Sequence, residues 1–369
     1  MLAAAAVVLS SLRPGDFDLR WIGAIHAVLY LLAIYLLLPV LADVFELRAR
    51  MGILVAIALL LCDVMYVSVF NSFYMDAAAM VFLALTLVFF LRSVLWRRLP
   101  DLIGLAISCS LLSVAKPQHA LLAIPVAILL IAWRKRVASP ALAWLAVAGT
   151  VAGGLWTAVS VPFDYRGNQW YDVVFLGLLP YSPAPAADLA ELGLDPADVR
   201  YSQTSAYFSG GGFANPEFTA RFRSRVGARV LVRFYLRHPF RTLQYLLRSF
   251  DDAGNTRPAD LGNFDPAEGR PPFAQARSFA WWSGFRHWLF AGHGLRYFLF
   301  TVGLAMLLLA RVKPNWRLAA VCLTIALLLE GVVSGLADAA EAPRHFTLFA
   351  LLEDAGLIVL LATFLPKKA

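Results

Sequence analysis

Apolar residues fall into long blocks separated by short polar gaps, with one polar interval far longer than the others. The blocks run Trp21 to Phe45, Met51 to Phe70, Met75 to Trp96, Leu102 to Ala115, His119 to Trp133, Ala141 to Val161, Leu295 to Ala310, Trp316 to Leu336 and Phe346 to Leu365. A helix needs about 20 mainly apolar residues to cross the hydrocarbon core of a bilayer. All but the fourth and fifth blocks come close to that length. The pattern predicts an all-α polytopic membrane protein with about nine transmembrane helices. It divides into an N-terminal bundle over 1–161, a large, mostly helical loop domain over 162–293, and C-terminal helices over 294–369.

Within the long interval, Asp195-Pro196 reads as a helix start and Ser209 to Gly212 as a flexible break. From Pro216 to Arg237 the pattern turns helical. Phe218, Phe222, Val226, Val230 and Phe234 recur every fourth residue, as do Arg221, Arg225, Arg229, Arg233 and Arg237. This predicts one amphipathic helix, interrupted at Pro239, with an aromatic and a basic face suited to the headgroup layer. The run from Phe279 to Phe285, with Trp288, reads as an interfacial aromatic belt.

Composition agrees with the pattern. Of 369 residues, 60% are hydrophobic and 15% charged, well outside the usual range for soluble domains. The net charge of +8 comes largely from basic residues between blocks, so no nucleic-acid partner is needed to explain it. Arg48 and Arg50, Arg97 and Arg98, Arg134 to Arg136, Arg311 to Arg317, and Lys367 with Lys368 occupy every second loop. By the positive-inside rule these sides are cytoplasmic, which puts the C-terminus in the cytoplasm and residues 162–293 outside. That arrangement leaves Met1 outside; the expectation is that a helix and part of a loop precede it in the natural protein, the alternative being an N-out protein with a short translocated tail. Cys62, Cys109 and Cys322 all lie in apolar blocks without metal-ligand spacing and read as core residues.

Charged groups inside or beside apolar blocks are costly unless paired or wetted, and they mark the candidate chemistry. Asp63 lies in the second block and Asp76 opens the third. For Asp76, a helix-capping acid is an equally good explanation. The two short blocks meet at Lys116-Pro117-Gln118-His119, a junction expected to dip below the membrane surface and to suit an anion such as phosphate; snorkelling towards water accounts for Lys116 nearly as well. Asp338, Glu341, Arg344 and His345 precede the last block, Glu353-Asp354 lies within it, and Glu330 sits mid-block and needs a partner. No P-loop, GxSxG elbow, HExxH or Rossmann glycine pattern is present, so any transferred group must come from a donor already in the membrane.

Four of these features together resemble the GT-C class of membrane glycosyltransferases, and most nearly bacterial hexosyltransferases of surface-glycan assembly. They are the acidic stretch Phe70 to Asp76, the Lys116-Pro-Gln turn, Arg237-His238-Pro239, and Arg344-His345 with Asp354. The resemblance implies a polyprenyl-phosphate-linked sugar donor, a glycan or lipid acceptor, and a place in the bacterial cytoplasmic membrane. It implies a catalytic role for Asp76 and donor binding by Lys116, Gln118, His119, Arg237, His238, Arg344 and His345; a catalytic role for Asp63, orienting the acceptor or binding a cation, is expected on physical grounds. A divalent cation remains open. The base that such enzymes carry in their first outer loop has no clear match, Asp16 and Asp18 being the only acids there. Two other readings stand beside this one: a transporter or flippase using Asp63 and Glu330 as coupling groups, and a polysaccharide polymerase or ligase using pyrophosphate-linked donors.

Overall fold

The computed structural model describes residues 18–258, 261, 264 and 266–368. The expectations placed on residues before Asp18, Asp16 among them, lie outside the described residues; Asp18 itself is ion-paired with Arg20 at 2.8 Å. The described residues open with helix α1 (Arg20–Val44), followed by α2 (Leu47–Leu61) and the short α3 (Val64–Phe70). These last two form one apolar stretch bent by 60°. The bend has a local cause. Asp63 takes extended backbone (φ −63°, ψ 149°) and its side chain accepts the Met65 amide, capping α3 in the middle of the stretch.

Next come α4 (Met75–Trp96) and α5 (Leu99–Ala115), then a 3-10 turn (Pro117–Leu122), α6 (Ala123–Trp133) and α7 (Pro140–Ser160). The two short apolar helices therefore meet at the Lys116 turn, as the pattern anticipated. Proline disfavours helical backbone in the residue before it, and Lys116 is accordingly extended (φ −154°, ψ 139°). Helix α7 carries Gly149 and Gly153 at GxxxG spacing, and a methyl group there would lie 2.7 Å from Ser110 Oγ and 2.4 Å from Ser113 Oγ. A Cβ on Gly154 would lie 3.0 Å from the Ala120 carbonyl oxygen in the turn. Small residues let helix backbones approach closely in a membrane, and here they seat α7 against α5 and the Lys116 turn.

The long loop region contains α8 (Phe163–Asp172), α9 (Pro185–Glu191), α10 (Pro216–Arg225), α11 (Ala228–Arg237) and α12 (Pro239–Ala253). It has an aromatic core of its own, formed by Tyr171, Phe175, Phe218, Phe222 and Phe234. This corrects the single amphipathic helix expected over Pro216 to Arg237. Val226 and Gly227 are extended and split it in two, and the aromatic face that was to enter the headgroups is buried in the protein. A different stripe is exposed: Val232, Leu236, Phe240 and Leu243. Helix α12 leaves this core and packs on the membrane helices, with Leu246 and Phe250 buried beside Phe346 and Phe349.

The chain closes with α13 (Trp281–Phe290), α14 (Gly294–Arg311), α15 (Arg317–Leu336), α16 (Ala342–His345) and α17 (Thr347–Phe364). By length and composition, six helices can cross a membrane, or seven if the bent α2–α3 pair is one span. The two shorter apolar helices on either side of the Lys116 turn complete the set. Every apolar block is thus helical, and no strand occurs among the described residues. This is a multi-pass membrane protein.

Candidate active site

The start of α4, the Lys116 turn, the end of α15 and the short α16 converge on one buried cluster of polar side chains. Asp76, in the first turn of α4, is fully buried, a position where the helix dipole favours an acid. Lys116 Nζ lies 2.7 Å from Asp76 Oδ1 and 3.1 Å from His345 Nδ1, and Lys116 is itself 1% exposed. The snorkelling alternative is therefore set aside: the ammonium turns inward to a carboxylate. His119 Nε2 is 3.8 Å from the same Asp76 oxygen, and its Nδ1 is 2.7 Å from Glu330 Oε1. Glu330, left without a partner by the sequence, finds it here.

Gln118 ties the turn to the other side of the cluster. Its Nε2 donates to Ser334 Oγ at 2.8 Å, to the His345 carbonyl at 2.9 Å and to Glu330 Oε1 at 3.3 Å. His345 Nε2 lies 3.1 Å from Asp338 Oδ2. Burial, reinforced by the Lys116 charge, pushes the His345 pKa down. His345 Nδ1 stands between a donor, Lys116 Nζ, and an acceptor, Gln118 Oε1 at 2.9 Å, while Nε2 faces Asp338. Arg344 stacks its guanidinium over the Tyr74 ring at 4.2 Å and bridges Glu341 at 2.5 Å. Glu341 occupies the left-handed region (φ 52°), uncommon for a residue with a side chain.

Four buried polar atoms of this cluster make no well-formed hydrogen bond among the described residues: Asp76 Oδ2, an acceptor, Arg344 Nε, a donor, and the two ring nitrogens of His119, whose approaches to Glu330 and Asp76 are ion-pair contacts. Groups left in that state cost free energy, and in native proteins they call for a specific explanation such as a ligand or bound water. Of the residues singled out from sequence, the structure brings together Asp76, Lys116, Gln118, His119, Arg344 and His345. It leaves three elsewhere. Asp63 spends both carboxylate oxygens on capping: Oδ1 on Met65 N at 2.9 Å, Oδ2 on Trp282 N and Ser283 N at 3.0 Å each. Asp63 therefore lies apart from the cluster, where its side chain caps two helices. Arg237 and His238 both face Glu191 on the loop region, at 3.3 Å and 2.8 Å, and touch none of the cluster. Among the described residues no group of three or more His, Cys, Asp or Glu side chains is arranged to hold a metal ion.

A family model described as the YfdI N-terminal transmembrane domain matches residues 1–367. The chain belongs to that family. No curated protein matches it, and no solved structure does.

This YfdI-type transmembrane domain contains a second buried polar network, of which sequence reasoning named Glu353 and Asp354 and missed Arg286. Arg286 of α13 is 1% exposed and reaches Glu353 at 2.6 Å and Asp354 at 3.0 Å, both fully buried on α17. Tyr66 and Trp282 donate to Asp354 Oδ2 at 2.6 and 2.8 Å, and Thr301 donates to Glu353 Oε1 at 2.7 Å. Arg286 also donates to the Tyr297 hydroxyl. Every carboxylate oxygen here is satisfied, so the network reads as a structural joint between α3, α13, α14 and α17. A lone arginine within the aromatic run was the available signal, masked by its tryptophan neighbours.

In the loop region, Asp172 is buried and its Oδ1 accepts the Ala206 amide at 2.7 Å. Burial raises its pKa to about 7, with Asp338 and Glu341 adding repulsion against that single hydrogen bond. The native state therefore holds a proton that the unfolded chain releases near pH 4. By linkage, Asp172 lowers stability progressively as pH rises from about 4 to 7, and the loss is complete above that. Asp172→Asn should keep the Ala206 contact and remove this slope. Thermal unfolding of the purified protein between pH 5 and 8 checks it, and an unchanged slope in the variant refutes it.

Proposed function

We propose that this membrane protein transfers a hexose from a polyprenyl-phosphate donor to a cell-envelope glycan or lipid acceptor. In this reading the reaction takes place on the outer face of the cytoplasmic membrane, a side for residues 162–293 that the distribution of basic loops supports. The observation that carries this reading is the pairing of an unpartnered buried acceptor, Asp76 Oδ2, with an unpartnered buried donor, Arg344 Nε, in one cluster. An acceptor hydroxyl needs the first and a phosphate needs the second.

The chemistry balances with these groups. The acceptor oxygen forms a bond to the anomeric carbon, the bond from that carbon to the phosphate oxygen breaks, and the electron pair leaves on polyprenyl phosphate. Asp76 takes the hydroxyl proton through its free oxygen, the work of a general base. Lys116 and Arg344 bring positive charge to where the leaving phosphate gains it, in a site closed to water where such charges act strongly. Gln118, Ser334 and His345 hold Lys116 and the turn in place. His119 bridges Asp76 and Glu330.

The test is reconstitution of the full protein with a radiolabelled hexosyl polyprenyl phosphate and a membrane extract as the acceptor source. Transfer of label to acceptor with release of polyprenyl phosphate is the expected result. Passage of intact donor across the bilayer without cleavage would instead establish a flippase and end the transferase reading.

A further inference from the structure

A cavity of about 850 Å³ lies apart from the Asp76 cluster, between the end of α12 and the start of α13. Its lining includes Arg257, Arg277, His287, Gln275, Phe273 and Trp281. Among the described residues no carboxylate lines it. Asp63 acts electrostatically on Arg257, but its two oxygens each already accept from backbone amides.

Arg257 is the informative member. Its Nη1 donates to the Ala276 carbonyl at 2.7 Å, which fixes the guanidinium in the wall. Its Nε and Nη2 are shielded from solvent and have no partner among the described residues. A guanidinium with two idle donors matches an anion presenting two oxygens. Arg277 and His287 are exposed on the same lining, where Arg277 adds a positive charge and His287 a polar ring. The rim bears exposed aromatics, with Trp281 80% and Phe273 68% exposed, while Phe279, Phe285 and Trp288 are exposed along the same segment. Aromatic side chains of this kind gather at the boundary between headgroups and hydrocarbon. A cavity with basic walls at that level suits an anionic head whose tail lies in lipid.

We propose that this cavity is a second, separate binding site for a phosphate ester, held by Arg257 and Arg277. The site stands on its own geometry and does not depend on the transferase reading. Two sources share the chemistry: the phosphate of a membrane lipid, and a soluble phosphate-bearing molecule.

The experiment measures binding to the full-length protein in nanodiscs of neutral phosphatidylcholine, with no turnover required. One arm titrates short-chain phosphatidic acid and the other titrates inorganic phosphate. Saturable binding is expected, weakened at least tenfold by Arg257→Gln and by Arg277→Gln. Arg277 is exposed and makes no contact the fold needs, so its variant guards against a folding artefact. Tighter binding of phosphatidic acid assigns the site to a lipid, and equal binding assigns it to a soluble ester. Failure of both probes to bind overturns the proposal, as does binding that neither substitution weakens.

Discussion

Asp76→Asn is expected to abolish hexose transfer, lowering turnover by about 10²–10⁴-fold, the usual contribution of a positioned acid–base group. Asparagine has nearly the shape of aspartate but cannot take a proton from the acceptor hydroxyl. The substitution has a second effect that has to be separated from the first. It leaves the ammonium of Lys116, 1% exposed, without its carboxylate partner at 2.7 Å, and removing one member of a buried ion pair is strongly destabilising. Asp76→Asn with Lys116→Met removes both charges, and residues in direct contact are expected to be non-additive. The double variant should recover most of the lost thermal stability and stay inactive, with donor binding followed by retention of labelled donor. If the stable double variant transfers sugar at the native rate, Asp76 has no part in the chemistry.

Arg286→Met should cost about 3–5 kcal/mol, or prevent accumulation of folded protein, because it strands two buried carboxylates at once. Glu353 and Asp354 are each fully buried, and the same guanidinium serves both. Arg286→Lys should rescue little, since a single ammonium cannot reproduce the planar fork that reaches two acids and the Tyr297 hydroxyl. Arg286→Met combined with Glu353→Gln and Asp354→Asn should regain stability that the single variant loses. Unfolding midpoints of detergent-purified protein read all three outcomes, and a single variant that melts with the native protein would show that the network carries no stability.

The helical blocks were legible because the bilayer imposes their length and leaves few charges inside them. The Lys116 junction was legible for the same reason, two blocks being too short and joined through a proline. Most of the cluster was legible residue by residue, since Asp76, Lys116, His119, Arg344 and His345 are charged or titratable groups at block ends. Their pairings were not. Lys116 and His345 are 229 positions apart and Arg286 and Glu353 are 67 apart, and only helix packing brings them into contact. The Pro216–Arg237 stretch misled for a different reason. An aromatic stripe at helical spacing looks the same whether it faces lipid or a protein core, and the extended Gly227 that breaks the helix gives no signal in the periodicity.

Asp63 ties together two segments far apart in the chain. One carboxylate starts α3, in the middle of an apolar stretch, and α13, at the end of the long loop region. Val64 N adds a bond to the Phe279 carbonyl at 3.0 Å. Free-energy changes add only for sites that share no partner. The first turns of α3 and α13 share this one, so they behave as a single thermodynamic unit. An energetic map of this protein drawn by sequence segments would split that unit in two.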